Sequence, residues 1–285
     1  MGRITARRPV IKITLGSATR KRADDLAVEE PLEVRVMGEP LAITMRTPGH
    51  DVELAAGFLV SEGVISIRDH FRNAIHCGGP GTPGGALSGT AEGNTYNVLD
   101  VALAPDVTLP APELARNFYT TSSCGVCGKA SIEAIETASK FDPSLDRVTI
   151  SAAALAELPD RLREDQVAFA RTGGLHAAGL YDAVSGERYV VREDVGRHNA
   201  VDKVIGWALL NDRLPLTGVV LQVSGRASFE LVQKAVMAGV PILSAVSAPS
   251  TLAAELATTS GLTLAGFVRG TTMNVYSRAE RILVD

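Results

Sequence analysis

The spacing of apolar and polar positions changes several times along the chain, and each change marks an element. Residues 10–14 alternate like a short edge strand. Residues 32–36 and 41–46 alternate with period two around the turn Gly38-Glu39-Pro40, which predicts a hairpin. After the break at Thr47-Pro48-Gly49-His50, Asp51 caps a helix carrying Leu54, Ala55, Phe58 and Leu59, and Gly63 ends it. His50 reads as a loop residue. Residues 97–103 resume as a strand. Ser151 opens an Ala/Leu-rich helix to about Arg163. Residues 166–170 read as a strand running into Arg171-Thr172-Gly173-Gly174. Two more strands, 176–181 and 189–193, flank the turn Ser185-Gly186-Glu187. A helix from about Arg197 presents Ala200, Val201, Val204, Ile205, Ala208 and Leu209 on one face.

The remaining residues repeat strand and helix. Residues 218–223 are nearly all apolar, as buried parallel strands are. Ser228 caps a helix with Leu231, Val232, Ala235 and Val236 inside and a Glu230–Lys234 pair outside. Strands follow at 240–246, 262–268 and 273–276, with a helix starting near Ser250 between the first two. This is a βαβαβ unit, for which right-handed crossovers and a sheet covered on both faces are expected. The fold class is α/β, with a smaller β-rich N-terminal part. We divide the chain into 1–112 and 113–285, because residues 105–113 contain prolines and read as a linker. Residues 78–95 hold seven glycines and two prolines, and predict a mobile surface loop.

Composition narrows the class. A chain of 285 residues, 46% of them hydrophobic, has ample material for a core. It buries roughly three quarters of the surface exposed on unfolding. The net charge of -4 gives no global sign of nucleic-acid or membrane binding. No run approaches the ~18 apolar residues of a membrane span, and the first residues lack a signal peptide's apolar core. Three cysteines, two of them close together, do not make a secreted disulfide framework. A reducing, cytoplasmic compartment is the expectation. The first 25 residues are basic, as a solvated arm or a surface docking to an acidic partner would be.

The candidate chemistry is concentrated in a few stretches. Cys124 and Cys127 lie in Thr121-Ser122-Ser123-Cys124-Gly125-Val126-Cys127-Gly128, ahead of a helix-favouring segment where Ile132, Ile135 and Ala138 recur at helical spacing. A helix N-terminus favours an anion, so at least one thiol should be a thiolate nucleophile at neutral pH. Three chemistries compete there. Structural zinc needs four ligands, and only Cys77, His176 and His198 could complete the set. Dithiol exchange suits the spacing, but the motif follows a linker in mid-chain. The third is sulfur carriage as a cysteine persulfide, which a loop favours because the terminal sulfur must swing from donor to acceptor.

Ligands of open α/β sheets lie beyond the carboxyl ends of the strands. Here those loops are Ser224-Gly225-Arg226, Ser247-Ala248-Pro249-Ser250 and Arg269-Gly270-Thr271-Thr272. Small residues, hydroxyls and arginines suit a phosphate-bearing ligand, although ordinary turns have the same composition. No Gly-x-Gly-x-x-Gly or Walker A sequence is present. The polar run 191–203 offers Arg192, Asp194 and His198 either to orient an anion or to form a salt-bridged helix start. His176, inside an apolar strand, reads as a hydrogen-bonded core histidine, and the dipeptide His76-Cys77 as incidental.

Taken together these stretches resemble the FdhD family of formate dehydrogenase accessory sulfurtransferases. The resemblance rests on the cysteine loop, Arg171-Thr172-Gly173-Gly174-Leu175-His176, Glu193-Asp194-Val195-Gly196-Arg197-His198-Asn199-Ala200-Val201-Asp202-Lys203, Val223-Ser224-Gly225-Arg226 and Phe267-Val268-Arg269-Gly270 with Asn274-Val275-Tyr276. The early Leu54-Ala55-Ala56-Gly57-Phe58-Leu59 also looks like the family's helix. It implies a cytidine-deaminase-like C-terminal domain without deamination, since His176-Ala177-Ala178 lacks the glutamate of the His-x-Glu signature. It further implies a homodimer that takes sulfur from a cysteine desulfurase and passes it to the molybdenum cofactor before its insertion into formate dehydrogenase. That cofactor, the bis(molybdopterin guanine dinucleotide) form, is bound as substrate, with no tightly held metal. Cys124 would be the persulfide carrier and Cys127 the helper thiol. The cofactor-binding stretch maps to Phe267, Val268, Arg269, Gly270, Thr271 and Thr272. A cofactor chaperone without sulfur chemistry and a dithiol oxidoreductase are the alternatives.

Overall fold

The computed structural model describes residues 4–77, 97–108 and 139–284. The cysteine pair, the glycine-rich run at 78–95 and the division at 112/113 lie outside the described residues.

The N-terminal part opens with an antiparallel ribbon, β1 (Thr5–Lys12) and β2 (Arg20–Ala27). The edge strand expected at 10–14 is the end of this longer hairpin. Neither face of β2, RKRADDLA, is buried, so no hydrophobic period marks it. β3 (Glu30–Val36) and β4 (Glu39–Arg46) form the expected hairpin, and α1 (Asp51–Ser61) the expected helix. Asp51 is the first helical residue rather than the cap. Its carboxylate accepts from the fully buried Arg46, at 3.0 Å from Nε and 3.2 Å from Nη2. β5 (Phe71–His76) and β6 (Val98–Leu103) complete a four-stranded sheet ordered β4-β3-β6-β5. Alternation sends Leu32, Val34 and Val36 into the core, while Arg35 donates to Glu33 on the other face.

In the C-terminal part, β7 (Ile150–Ser151) leads into α2 (Ala152–Glu164), where Ser151 Oγ accepts from Ala154 N at 3.1 Å. The strand expected at 166–170 is instead a short helix, α3 (Val167–Thr172). Val167 and Phe169 favour a strand locally. A distant residue overrides them: the Glu193 carboxylate accepts from Ala168 N at 2.9 Å and Phe169 N at 2.7 Å, capping the helix from outside. Gly173, at φ 67°, ends it.

The main sheet follows. β8 (His176–Asp182) and β9 (Arg188–Asp194) form a hairpin leading to α4 (Arg197–Leu210). Then come β10 (Val219–Val223), α5 (Phe229–Met237), β11 (Ile242–Ala245), α6 (Thr251–Thr259), β12 (Thr263–Arg269) and β13 (Thr272–Ser277). A final two-residue strand, β14 (Ile282–Leu283), pairs with β7. The six strands are ordered β13-β12-β11-β10-β8-β9, with β10, β11 and β12 parallel. Both faces are covered, as the apolar run of β10 requires. Val219, Leu221 and Val223 join a core with α4, α5 and α6, whereas Val220 packs with Leu155, Leu158 and Tyr181 under α2.

The first of these cores also contains Leu32, Leu54, Leu59 and Leu99, so it runs continuously from the N-terminal part into the C-terminal part. At its centre α1 crosses α4 glycine to glycine. A Cβ on Gly57 would lie 1.8 Å from Asp202 O, and one on Gly206 would lie 1.8 Å from Glu53 O. Buried charges flank the crossing. Lys203 Nζ is 2.6 Å from Asp194 Oδ2 and donates to Thr47 O at 3.0 Å. Lys234 was expected outside with Glu230. It is buried, and its Nζ donates to both Asp202 oxygens at 2.8 and 2.9 Å. Ser61 Oγ donates to the same carboxylate at 2.7 Å. A lysine is buried at low cost only with such a partner, and Asp202 reaches it from another helix.

Candidate functional site

Beyond the carboxyl ends of β10, β11 and β12, on the α2 side of the sheet, lies a cavity of about 620 Å³. That is within the range of small-ligand sites. Its floor is formed by Ser224, Val246, Val268 and Arg269 at the strand ends, with His176 at the start of β8. The opposite wall is Asp160, Leu162 and Arg163 of α2, then Gln166 and Phe169 around the start of α3. Gly173-Gly174-Leu175 closes the side between the two.

Ser224 continues the ladder with β8: its N–H donates to Ala177 O at 3.0 Å and its Oγ accepts from Ala177 N at 2.9 Å. The hydroxyl proton therefore stays available to the cavity. Arg269 is exposed and, among the described residues, makes no ion pair, so its guanidinium is placed to meet an anion. The backbone delivering it is unusual. Phe267 has φ 53°, in the left-handed region, and the β12–β13 register slips between Gly266 and Arg269. Phe267 N donates to Ser247 O at 3.2 Å, tying this bulge to the neighbouring loop. Strain of this kind in a non-glycine residue is characteristic of ligand sites. Gly270 turns the chain at φ 55°, and Thr271 and Thr272 are exposed on the hairpin. Of the six residues expected to hold the cofactor, Val268 and Arg269 line the cavity.

His176 is not a bonded core residue. It is half-buried and faces the cavity, with Nδ1 3.4 Å from where a Cβ on Gly225 would lie. Burial lowers its pKa, Arg197 and His198 lower it further, and Asp194 pulls the other way. The imidazole therefore favours its neutral form.

The polar run after β8 is mainly architectural. Arg192 donates to Glu53 through Nε at 2.6 Å and Nη2 at 2.7 Å, joining β9 to α1. Asp194 is fully buried and accepts from Thr47 N, Gly196 N and Asn199 Nδ2 besides its pairing with Lys203. His198 lies 3.5 Å from Ser228 Oγ and 3.8 Å from Glu230 Oε2. Arg192 thus ties β9 to α1 and Asp194 fixes the start of α4, and neither lines the cavity. Asp160, Arg163, Gln166 and Phe169 are cavity residues that the sequence reading did not single out. Recognising 166–172 as a helix would have turned Gln166 and Phe169 toward α2. Among the described residues no group of three or more His, Cys, Asp or Glu side chains could hold a metal ion. No helix among them is long and apolar enough to cross a membrane.

Three of the stretches singled out in the sequence, 171–176, 223–226 and 267–270, meet at this one cavity. Residues 27–283 match the FdhD/NarQ family model. The chain belongs to the FdhD/NarQ family. A protein of Mycobacterium tuberculosis called sulfur carrier protein FdhD is 56% identical over 283 residues, spanning 99% of this chain and 100% of that one. The sulfur carrier protein FdhD of Streptomyces coelicolor is 57% identical over 284 residues, 99% of this chain and 97% of its own. Among solved structures, a protein from Desulfotalea psychrophila assigned as a formate dehydrogenase accessory protein superposes with a TM-score of 0.74. The match covers 99% of this chain and 100% of that one, and at 24% identity it bears on the fold, mixed α/β as expected. The cavity is where three separate segments of the chain, each part of the resemblance drawn from the sequence, come together.

Proposed function

We propose that this chain is a sulfur carrier in the maturation of formate dehydrogenase, working in the cytoplasm. The Cys124 thiolate attacks the outer sulfur of a cysteine desulfurase persulfide. A sulfur–sulfur bond forms at Cys124, and the desulfurase thiolate leaves. The acceptor is the molybdenum cofactor in its bis(molybdopterin guanine dinucleotide) form, bound as substrate with a guanine nucleotide end in the cavity. Cys127 is the resolving thiol. Its attack on Cys124 Sγ frees the terminal sulfur as hydrosulfide for the metal and leaves a Cys124–Cys127 disulfide, which an external dithiol reduces.

The observation that carries this reading is the convergence of the three stretches on a cavity with an exposed guanidinium at Arg269 and an available hydroxyl at Ser224. Such a donor set fits the phosphates of a nucleotide. The names of the relatives supply the sulfur chemistry, and the thiolate-favouring sequence around Cys124 agrees with it. The chain should be incubated with a desulfurase and cysteine and its peptides weighed. The peptide carrying Cys124 should gain the mass of one sulfur atom, and Cys124→Ala should abolish activation of formate dehydrogenase. Full activation by both Cys124→Ala and Cys127→Ala, with loss on Arg269→Ala, would replace this reading with that of a chaperone that binds the cofactor without sulfur chemistry.

A further inference from the structure

The ribbon β1–β2 contributes no residue to either core. Its base is held. The Arg171 guanidinium of α3 lies 3.2 Å from Asp25 Oδ2, Val28 N donates to Ile4 O at 3.0 Å, and a Cβ on Gly174 would lie 3.7 Å from that of Ala27. Beyond that base every residue from 11 to 23 is exposed. Ile11, Ile13 and Leu15, toward the turn, are 62%, 73% and 96% exposed. Large apolar side chains gathered bare at one end of an element mark a contact surface. The same residues 11–23 carry Lys12, Arg20, Lys21 and Arg22 and no acid. The ribbon's two acids, Asp24 and Asp25, lie at the base, opposite Arg8 and Arg7. Arg22 donates to Asp24 at 2.6 Å. Among the described residues, Lys12, Arg20 and Lys21 make no ion pair. The chain's net charge of -4 conceals this local excess of cations.

The ribbon is sorted along its length and not across its faces. The pairing puts Val10, Lys12, Arg20 and Arg22 on one face and Ile11 with Lys21 on the other, so both faces carry apolar and basic side chains. From the turn inward the order is apolar, then basic, then balanced. A protein partner typically meets one face, as an apolar patch inside a polar rim, and neither face offers that. Sorting along the axis suits a boundary met end-on, with hydrocarbon ahead and anions behind it. We propose that the tip of this ribbon docks on an anionic lipid surface. Ile13 and Leu15 enter the boundary of the acyl chains, and Lys12, Arg20, Lys21 and Arg22 meet the headgroup phosphates. Their aliphatic stems let the charges stay at headgroup level while the apolar tip goes deeper. An anionic leaflet attracts each cation near its surface, and the buried apolar area adds to that attraction. The attachment is peripheral and leaves the body of the protein in water. The base of the ribbon rests on α3 and Gly174, which wall the cavity, so docking fixes the cavity relative to the bilayer.

The test is co-sedimentation of the full chain with vesicles of phosphatidylcholine alone and of phosphatidylcholine mixed with phosphatidylglycerol. The mixed, anionic vesicles should bind the chain about tenfold or more tightly than the neutral ones, and added salt should weaken that binding. Two double variants separate the contributions. Arg20→Glu with Lys21→Glu should lower binding to the anionic vesicles about tenfold or more. Ile13→Ser with Leu15→Ser should lower it as well, because the apolar tip is lost. All four residues are exposed, so both variants should fold, which circular dichroism checks. No sedimentation with the anionic vesicles overturns the proposal. So does binding by either double variant as tight as that of the unaltered protein. If the vesicles leave the chain in solution while Arg20→Glu with Lys21→Glu slows sulfur loading by a desulfurase, the tip belongs to an acidic protein surface instead.

Discussion

His176 shows how much one position depends on its neighbours. Read along its strand it is a polar residue in an apolar run. In the fold it faces a cavity, with the Gly225 backbone against its ring. Its pKa lies below 6.5 because of burial first and the nearby Arg197 and His198 second. The folded chain thus prefers the neutral ring. The resulting stability is complete above 6.5 and is lost as pH falls through the lower folded value. Urea midpoints measured from about pH 7 to about pH 5 should fall more for the native chain than for His176→Gln. Parallel curves would mean that the ring ionises as freely in the folded chain as in the unfolded one. Asp194 and Arg192 illustrate the opposite outcome. Their density of charge hinted at a ligand, but Arg192 is taken up by Glu53 and Asp194 by Lys203, Gly196 and Asn199 together with Thr47, the two N-terminal partners lying more than a hundred residues earlier. No local pattern could have announced the pairings with Glu53 and Thr47.

Among elements, legibility followed burial. β10, β11 and β12 were plain in the sequence because strands buried on both faces are almost wholly apolar, and α4 because its stripe of Ala200, Val201, Val204 and Ile205 repeats at helical spacing. The exposed ribbon β1–β2 and the short helix α3 were not. The ribbon buries neither face, and α3 is held by the carboxylate of Glu193 rather than by its own propensity. Lys234 belongs with these, since its helix period suggested Glu230 and its partner is Asp202 on α4. The α1–α4 crossing makes the most exposed prediction at this scale. Gly57→Ala puts a methyl group 1.8 Å from Asp202 O, so the helices must part. The expected loss is about 3 kcal/mol or more, at the upper end of overpacking costs. Chemical denaturation would measure it, and a midpoint equal to that of the native chain would show that the helices separate freely.

At the scale of the whole molecule, the two parts expected from the sequence share one core. Leu54 and Leu59 of α1 lie in the same cluster as Val201 and Ile205 of α4 and Leu231 of α5. The chain should therefore unfold in a single transition, with fluorescence and circular dichroism tracing coincident curves. Two separated transitions would mean that each part is stable without the other. Residues 113–285 expressed alone should be poorly soluble, because the α4 face that meets α1 would be bare.

The glycine crossing at the middle of this shared core also bears on how the protein can change over time. A clash between two side chains can be repaired by trimming either one. At Gly57 and Gly206 each glycine faces a carbonyl oxygen of the opposite helix, and a peptide group has nothing to trim. A second-site suppressor of a lesion at either glycine cannot come from the residue it strikes. Only gains in stability elsewhere in the fold could offset the loss, so the two positions are closed to the stepwise, compensated exchanges by which most packed interfaces drift.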